Sequence, residues 1–218
     1  ITCRDWSSDV CSSDLSKQVD GLIFLSAGDT RGIRPNPYMA DIPMVITDRE
    51  AGGIASDVVL IDNELGGYQA TQYLLSLGHR RIGCIAGPFH IRAGFQRVQG
   101  YRKALEEAGV DFDEALVSSN NFRFDGGERG MQTLMALSDP PTAVFASNDM
   151  MALGAMRAII GSGMRVPEDY SIVGFDNTPL GSLVSPELTT VSQPIKAMAD
   201  LSVELLIEKI NLKEEQKR

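Results

Sequence analysis

From Gln18 onward, short apolar runs alternate with stretches of helical spacing. Val19–Leu25 (VDGLIFL), Met44–Thr47 and Val58–Ile61 read as strands, each bounded by Gly, Pro or Asp. Ala70, Leu74 and Leu77 then recur at helical spacing, and Gly78 stops that helix as a C-cap does. Ile82–Ala86 is the next strand, ended by Gly87 and Pro88; Val98, Tyr101, Ala104 and Leu105 mark a helix closed by Gly109. A weak strand near Leu116–Ser118, a helix around Gly127–Leu137, a strand at Thr142–Ala146, a helix at Met150–Ile160 and a strand at Ser171–Phe175 follow. A loop rich in Pro, Gly and Ser leads to an extended stretch at Leu188–Ser192, and Ile195, Met198, Leu205 and Leu206 place a last amphipathic helix. Strands alternating with helices imply parallel sheets joined by right-handed crossovers, an α/β fold.

Composition narrows the class. Of 218 residues, 43 % are hydrophobic, with 21 glycines and 10 prolines, the balance of a globular α/β protein. No apolar run approaches the ~20 residues of a membrane helix, so no membrane partner is expected. Acidic side chains outnumber basic ones 29 to 20, for a net charge of −9. Such a chain lacks the clustered Lys and Arg that neutralise phosphates, so it does not itself grip DNA.

Asp5–Leu15 (DWSSDVCSSDL) reads as the translation of a sequencing-library adapter strand. Residues 1–15 are therefore expected to be an artefact of sequencing and no part of the fold. Without them the charge is −7, from 19 basic and 26 acidic side chains, and Cys84 is the remaining thiol. One thiol forms no intrachain disulfide, which suits a cytoplasmic location.

In open parallel sheets, ligands bind at the carboxyl ends of strands. The polar residues just past those ends are Asp48, Asn148, Asp149, Asp176 and Asn177, with Arg97 opening a helix a few residues after another strand. Carboxylates, amides and a guanidinium fork offer the paired acceptors and donors that a vicinal diol needs. Phe89, Phe122 and Phe124 lie in neighbouring loops and supply flat apolar faces. Each residue also has a plainer reading. Asp48 and Asp176 serve equally as turn formers or caps, Asn148 as an N-cap, Arg97 as a surface ion-pair partner, and Phe122 and Phe124 as core. It is their convergence at strand ends that favours a binding site.

Catalytic signatures are missing: there is no HExxH helix, GxSxG elbow, P-loop or GxGxxG after a strand. Cys84 reads as a small buried hydrophobe, and His79 and His90 have no partner at metal-ligand spacing. Met150, Met151 and Met156 read as packing or interface. Neither an enzyme, a metal nor a cofactor is implied.

Five ordered segments carry a family resemblance: DNELGGYQATQYLLSLGHRRIGCIAGP (62–88), RVQGYR (97–102), FASNDMMALGAMRAI (145–159), VPEDYSIVGFDN (166–177) and PELTTVSQP (186–194). Together they resemble the effector-binding domain of the lactose-repressor/galactose-repressor family of bacterial transcription regulators, over essentially all of 18–212. The resemblance implies a type I periplasmic-binding-protein-like fold of two doubly wound parallel-sheet lobes with a small molecule clamped between them. Residues 16–64 would form a partial N-terminal lobe and 65–192 the C-terminal lobe, with 193–218 a return helix to the first. It further implies Asp48, Arg97, Phe122, Asn148 and Asp176 as contacts to a small-molecule effector, sugar or nucleoside-like. Arg92 and its neighbours are the places for a second basic contact. Leu153 and its helix resemble the family's homodimer face.

Members of this family begin with a helix-turn-helix module; none is expected within this sequence, and DNA is expected as a partner only through such a module. The first strand, helix and strand of the N-terminal lobe are likewise expected to be missing, which leaves that lobe incomplete and exposes a sheet edge. Residues 16–218 are therefore expected to be poorly stable as a monomer; a cooperative, high-temperature melt would contradict this. The transport alternative, a periplasmic sugar-binding protein, shares the fold, and an enzyme on the same sheet is the third class considered.

Overall fold

The computed structural model describes residues 19–25, 42–48 and 56–215. The adapter-like segment 1–15 lies outside the described residues. The chain divides into two compact units, residues 1–61 with 194–218, and residues 62–193.

The smaller unit carries three parallel strands in the order β1 (Leu22–Leu25), β2 (Met44–Thr47), β3 (Asp57–Val59). β1 starts three residues later than its apolar run suggests, because Asp20 and Gly21 belong to the approach. The final helix of the chain, Ile195–Glu215, packs on this sheet through Val45, Val59 and Met198 with Ile61, Leu205 and Leu206. A buried hydroxyl pair, Thr47 Oγ1 and Ser202 Oγ at 2.9 Å, and an ion pair from Lys209 to Asp57 at 3.0 Å fix its register. Gly21 allows the close approach: a Cβ there would lie 2.8 Å from Leu206 Cδ1.

The larger unit opens with α1 (Asn63–Ser76), capped by Asp62, whose carboxylate accepts from the Leu65 N–H at 2.8 Å. β4 (Ile82–Ala86), α2 (Arg92–Glu107), β5 (Val117–Ser119), α3 (Phe124–Met135), β6 (Ala143–Ala146), α4 (Asp149–Gly161), β7 (Ser171–Asp176) and β8 (Thr189–Ser192) come next along the chain; the helix from Ile195 is then α5. All five strands are parallel, in the order β5-β4-β6-β7-β8. β4 and β6 are buried along their whole length, the signature of strands covered on both faces. Ile85, Val144, Ala146 and Ile172 meet α3 and α4 through Met131, Leu134, Met151 and Ile159. Alternation turns Phe175 to the other face, where it meets α1 at Gly66.

Glycines set how closely the helix pairs approach. A Cβ at Gly67 would fall 2.1 Å from the Arg97 carbonyl oxygen, and one at Gly100 would fall 1.9 Å from that of Glu64. α3 and α4 cross equally tightly: Gly127 abuts the Met151 carbonyl and Gly154 that of Phe124. Cys84 is fully buried in β4, where desolvation pushes its thiol pKa far up; Met151 and Met156 are core residues. Because the strands are parallel, Ala86, Ser119, Ala146, Asp176 and Ser192 all end on one edge of the sheet, and the residues just beyond them form one polar rim.

Candidate functional site

Arg97 organises that rim. It lies in the second turn of α2 instead of opening the helix, because α2 already begins at Arg92. Only 4 % of it is exposed, so its charge requires partners. Nε donates to Asn63 Oδ1 at 2.9 Å, Nη1 donates to the Ser147 carbonyl, and Nη1 stands 3.7 Å from Asp176 Oδ1. The guanidinium carbon lies 3.6 Å from the centroid of the Phe175 ring, a cation–π contact. The surface ion-pair reading of Arg97 therefore gives way to a buried, oriented cation.

Asp176 ends β7 with φ +114°, and Asn177 follows at φ +55°. Gln193 Nε2 donates to Asp176 Oδ1 at 2.6 Å, and Asn177 Nδ2 to Ser192 Oγ at 3.2 Å. Asp149, fully buried at the start of α4, supports this turn. Its carboxylate accepts from Thr178 N (2.6 Å), Thr178 Oγ1 (2.9 Å) and Thr190 Oγ1 (2.5 Å). Gly174 makes room for that carboxylate, since a Cβ there would come within 2.5 Å of Asp149 Oδ1.

Asn148 and Phe122 form a second pair. The Asn148 amide oxygen caps α4 by accepting from Met151 N at 2.9 Å, and its Nδ2 donates to the Phe122 carbonyl at 2.9 Å. The plain N-cap role of Asn148 is thus real, and it also anchors Phe122. Phe122 has φ +61°, costly for a bulky residue, and its half-buried ring sits over Gly87, where a Cβ would meet Phe122 Cζ at 2.0 Å. Phe124 belongs to α3 and lines an apolar groove with Leu153, Met156 and Ile160, so it is not a loop aromatic of this rim. Phe89 is about half exposed, in the turn after β4.

The larger unit therefore gathers Arg97, Phe122, Asn148 and Asp176 on one strand-end rim, where the Ser147 carbonyl that accepts from Arg97 immediately precedes Asn148 in the chain. Asp48 stands in the smaller unit, ending β2 with φ +69° and donating its N–H to the Val59 carbonyl at 2.9 Å. Sequence reading missed Asn63, Phe175 and Gln193. The one available signal was the Gly66–Gly67 pair, which lets α1 lie against Phe175 and the Arg97 backbone. Among the described residues, no cluster of His, Cys, Asp and Glu is arranged to hold a metal, and no helix is long and apolar enough to cross a membrane.

A doubly wound parallel sheet with its polar groups at the strand ends is the build of a periplasmic-binding-protein-like domain, and the family described as "Periplasmic binding protein-like domain" matches residues 71–218. The transcriptional repressor PurR of Vibrio atlanticus is 38 % identical over 203 residues, covering 93 % of this chain and 61 % of its own length. The regulator CelR of Thermobifida fusca is 42 % identical over 199 residues, 89 % of this chain and 58 % of its own. A solved CelR–cellobiose complex superposes with a TM-score of 0.80 at 39 % identity, covering 92 % of this chain and 62 % of that one. A solved regulatory protein of the LacI family from Chloroflexus aggregans gives 0.80 at 31 % identity, covering 94 % and 76 %. The chain belongs to the lactose-repressor/galactose-repressor family of transcription regulators. It spans about three fifths of the length of these curated relatives. They are repressors and regulators, which speaks against the transport alternative and points to no enzyme.

Proposed function

We propose that the chain is the effector-sensing part of a cytoplasmic transcription regulator. Arg97, Phe122, Asn148 and Asp176 of the larger unit hold a small neutral effector, a sugar or nucleoside-like molecule. Arg97 and Asp176 offer donor and acceptor to vicinal hydroxyls, and Phe122 offers an apolar face to a ring. Binding shifts the protein between two arrangements by no more than the effector's differential affinity for them, and a DNA-reading module elsewhere in the full-length protein reports the shift.

The observation that carries this reading is backbone strain. Among the described residues, the non-glycine residues at positive φ are Asp48, Phe122, Asp176 and Asn177, and three of these four are the strand-end effector contacts expected from the sequence. Strain of this kind costs of order 1–3 kcal/mol per residue and concentrates at ligand-binding sites. The outer face of α4 is proposed as the homodimer contact, since Leu153, Ile160 and Val184 line an apolar groove there.

Calorimetric titration with cellobiose, D-ribose and adenosine tests the reading. At least one of these neutral probes is expected to bind, and Arg97→Ala is expected to weaken it about 100-fold, the worth of charge-assisted hydrogen bonds. In the full-length regulator, Arg97→Ala and Asp176→Ala abolish the effector response and leave operator binding measurable. An unchanged response in both variants overturns the assignment.

A further inference from the structure

Phe122 stands between β5 and α3 at φ +61°, and its neighbours fix it from several sides. Asn120 N donates to the Ala86 carbonyl at 2.8 Å, which pins the chain just before Phe122 to the end of β4. Ser119 Oγ donates to the Gly87 carbonyl at 3.2 Å, steadying the glycine on which the Phe122 ring rests. Asn148 Nδ2 holds the Phe122 carbonyl. Just past Phe122, the Arg123 N–H donates to Asn121 Oδ1 at 3.0 Å, so the Asn121 side chain closes a turn around the strained residue.

Asn120 and Asn148 also serve the scaffold, the first through its bond to the Ser118 carbonyl and the second as the cap of α4. Asn121 is different. The N-cap position of α3 belongs to Arg123, whose side chain makes no capping bond, and the Asn121 oxygen acts before the helix, on the turn at Phe122. Asp125 aims that amide by accepting from Asn121 Nδ2 at 3.3 and 3.5 Å, and Arg129 Nη1 donates to Asp125 in turn. Gly126 leaves the room, since a Cβ there would lie 2.2 Å from Asn121 Oδ1. We propose that Asn121 is a positioning residue of the effector site: its side chain keeps Phe122 in the left-handed conformation that lays the ring over Gly87, and so sets the apolar face offered to the guest. The proposal rests on the effector reading above and deepens it. A ring fixed before the guest arrives has no freedom left to lose on binding, which is how a residue that does not touch the guest raises its affinity.

The test has two arms on the whole chain. An aromatic ring shifts the resonances of protons beneath its face, so the Gly87 Hα protons report the Phe122 ring directly by NMR without ligand. Phe122→Ala gives the value with no ring. Asn121→Ala is expected to move the Gly87 signals at least half of the way to that value. Asn121→Asp keeps the acceptor and leaves them near their original place, as does Gln132→Ala on the exposed side of α3. Where Asn121→Ala does not fold, Asn121→Ser replaces it; its hydroxyl makes the same turn more weakly, and the shift is smaller in the same direction. Unmoved Gly87 signals in the Asn121 variant overturn the proposal.

In the second arm, cellobiose, D-ribose and adenosine are titrated by calorimetry. Asn121→Ala is expected to weaken the bound probe about 5-fold, the worth of one hydrogen bond, and Asn121→Asp to restore it. In a Phe122→Ala background the same Asn121→Ala change is expected to cost nothing further, because the residue acts only through the ring. An equal loss in both backgrounds, or moved Gly87 signals with unaltered affinity, overturns the positioning role. Failure of every probe to bind the unmodified chain removes the effector reading and the positioning role with it, while the first arm still shows whether Asn121 holds the ring.

Discussion

The two edges of the five-stranded sheet are both polar, yet they are built differently. At the edge where strands begin, His79 bridges Thr142 Oγ1 (2.9 Å) and Ser171 Oγ (3.0 Å), and Arg81 pairs with Asp139 (3.0 Å) and Asp113 (3.6 Å). The left-handed positions that lead into this edge are Gly78 (φ +94°), Gly109 (φ +66°) and Gly163 (φ +83°), closing α1, α2 and α4 at little cost. At the edge where strands end, the left-handed positions are Phe122, Asp176 and Asn177. The same backbone requirement is met by glycine at one edge and by larger side chains, two of them proposed effector contacts, at the other. Glycine is the residue for a turn that only has to turn; a strained side chain persists where it has something to hold.

Substitutions break this contrast in a definite order. The largest effect belongs to Arg97→Ala, which leaves Asn63, the Ser147 carbonyl and Asp176 without their buried partner. Urea denaturation is expected to show a loss of about 3 kcal/mol, typical for removing one side of a buried ionic contact, together with the loss of effector binding. Next comes the comparison of Asp176→Gly with Asp176→Ala. Both lose effector affinity, but the glycine variant is expected to be more stable by about 1 kcal/mol because φ +114° no longer strains a side chain. Equal stabilities would mean that the turn relaxes and stores no strain.

At the opposite edge, Gly78→Ala is expected to cost about 1 kcal/mol in the same denaturation experiment and leave effector affinity unchanged, since nothing lies within 4 Å of a Cβ there and only the φ is unfavourable. The smallest effect is that of pH on His79. Burial lowers its imidazole pKa below the usual value, so the folded state disfavours the proton relative to the unfolded chain. Its contribution to stability is present above about pH 6.5 and is lost as the pH falls through that value towards the folded pKa. Denaturation curves between pH 7 and pH 5 are expected to show the decline, and His79→Gln to flatten it.

The contrast also explains how much of the molecule is legible in the sequence. β2 and β4 come directly from uninterrupted apolar runs, and Gly78 and Gly109 mark helix ends because glycine's freedom is a local property. Asp176 and Asn148 are legible as strand-end groups for the same reason. Asn63 and Gln193 are not, because their roles depend on Arg97, 34 positions away from one, and Asp176, 17 positions from the other. Phe175 reads simply as a strand hydrophobe, although one face of its ring takes the Arg97 guanidinium. α2 starts earlier than its apolar spacing suggests because Gly94 lets its first turn rest on the Pro88 carbonyl, 2.6 Å from where a Cβ would sit. Asp149 is visible as a polar residue of the rim, but its work is to hold Thr178 and Thr190 inside the fold.

The division of labour between the edges is tested most directly by mapping backbone amide shifts as cellobiose, D-ribose or adenosine is titrated into the chain. Changes are expected to concentrate at Arg97, Phe122, Asn148, Asp176 and Asn177, with His79, Thr142 and Ser171 unmoved. Changes centred on His79 and Ser171, or none at the strand ends with any of the three, would contradict a sensing role for the strained edge.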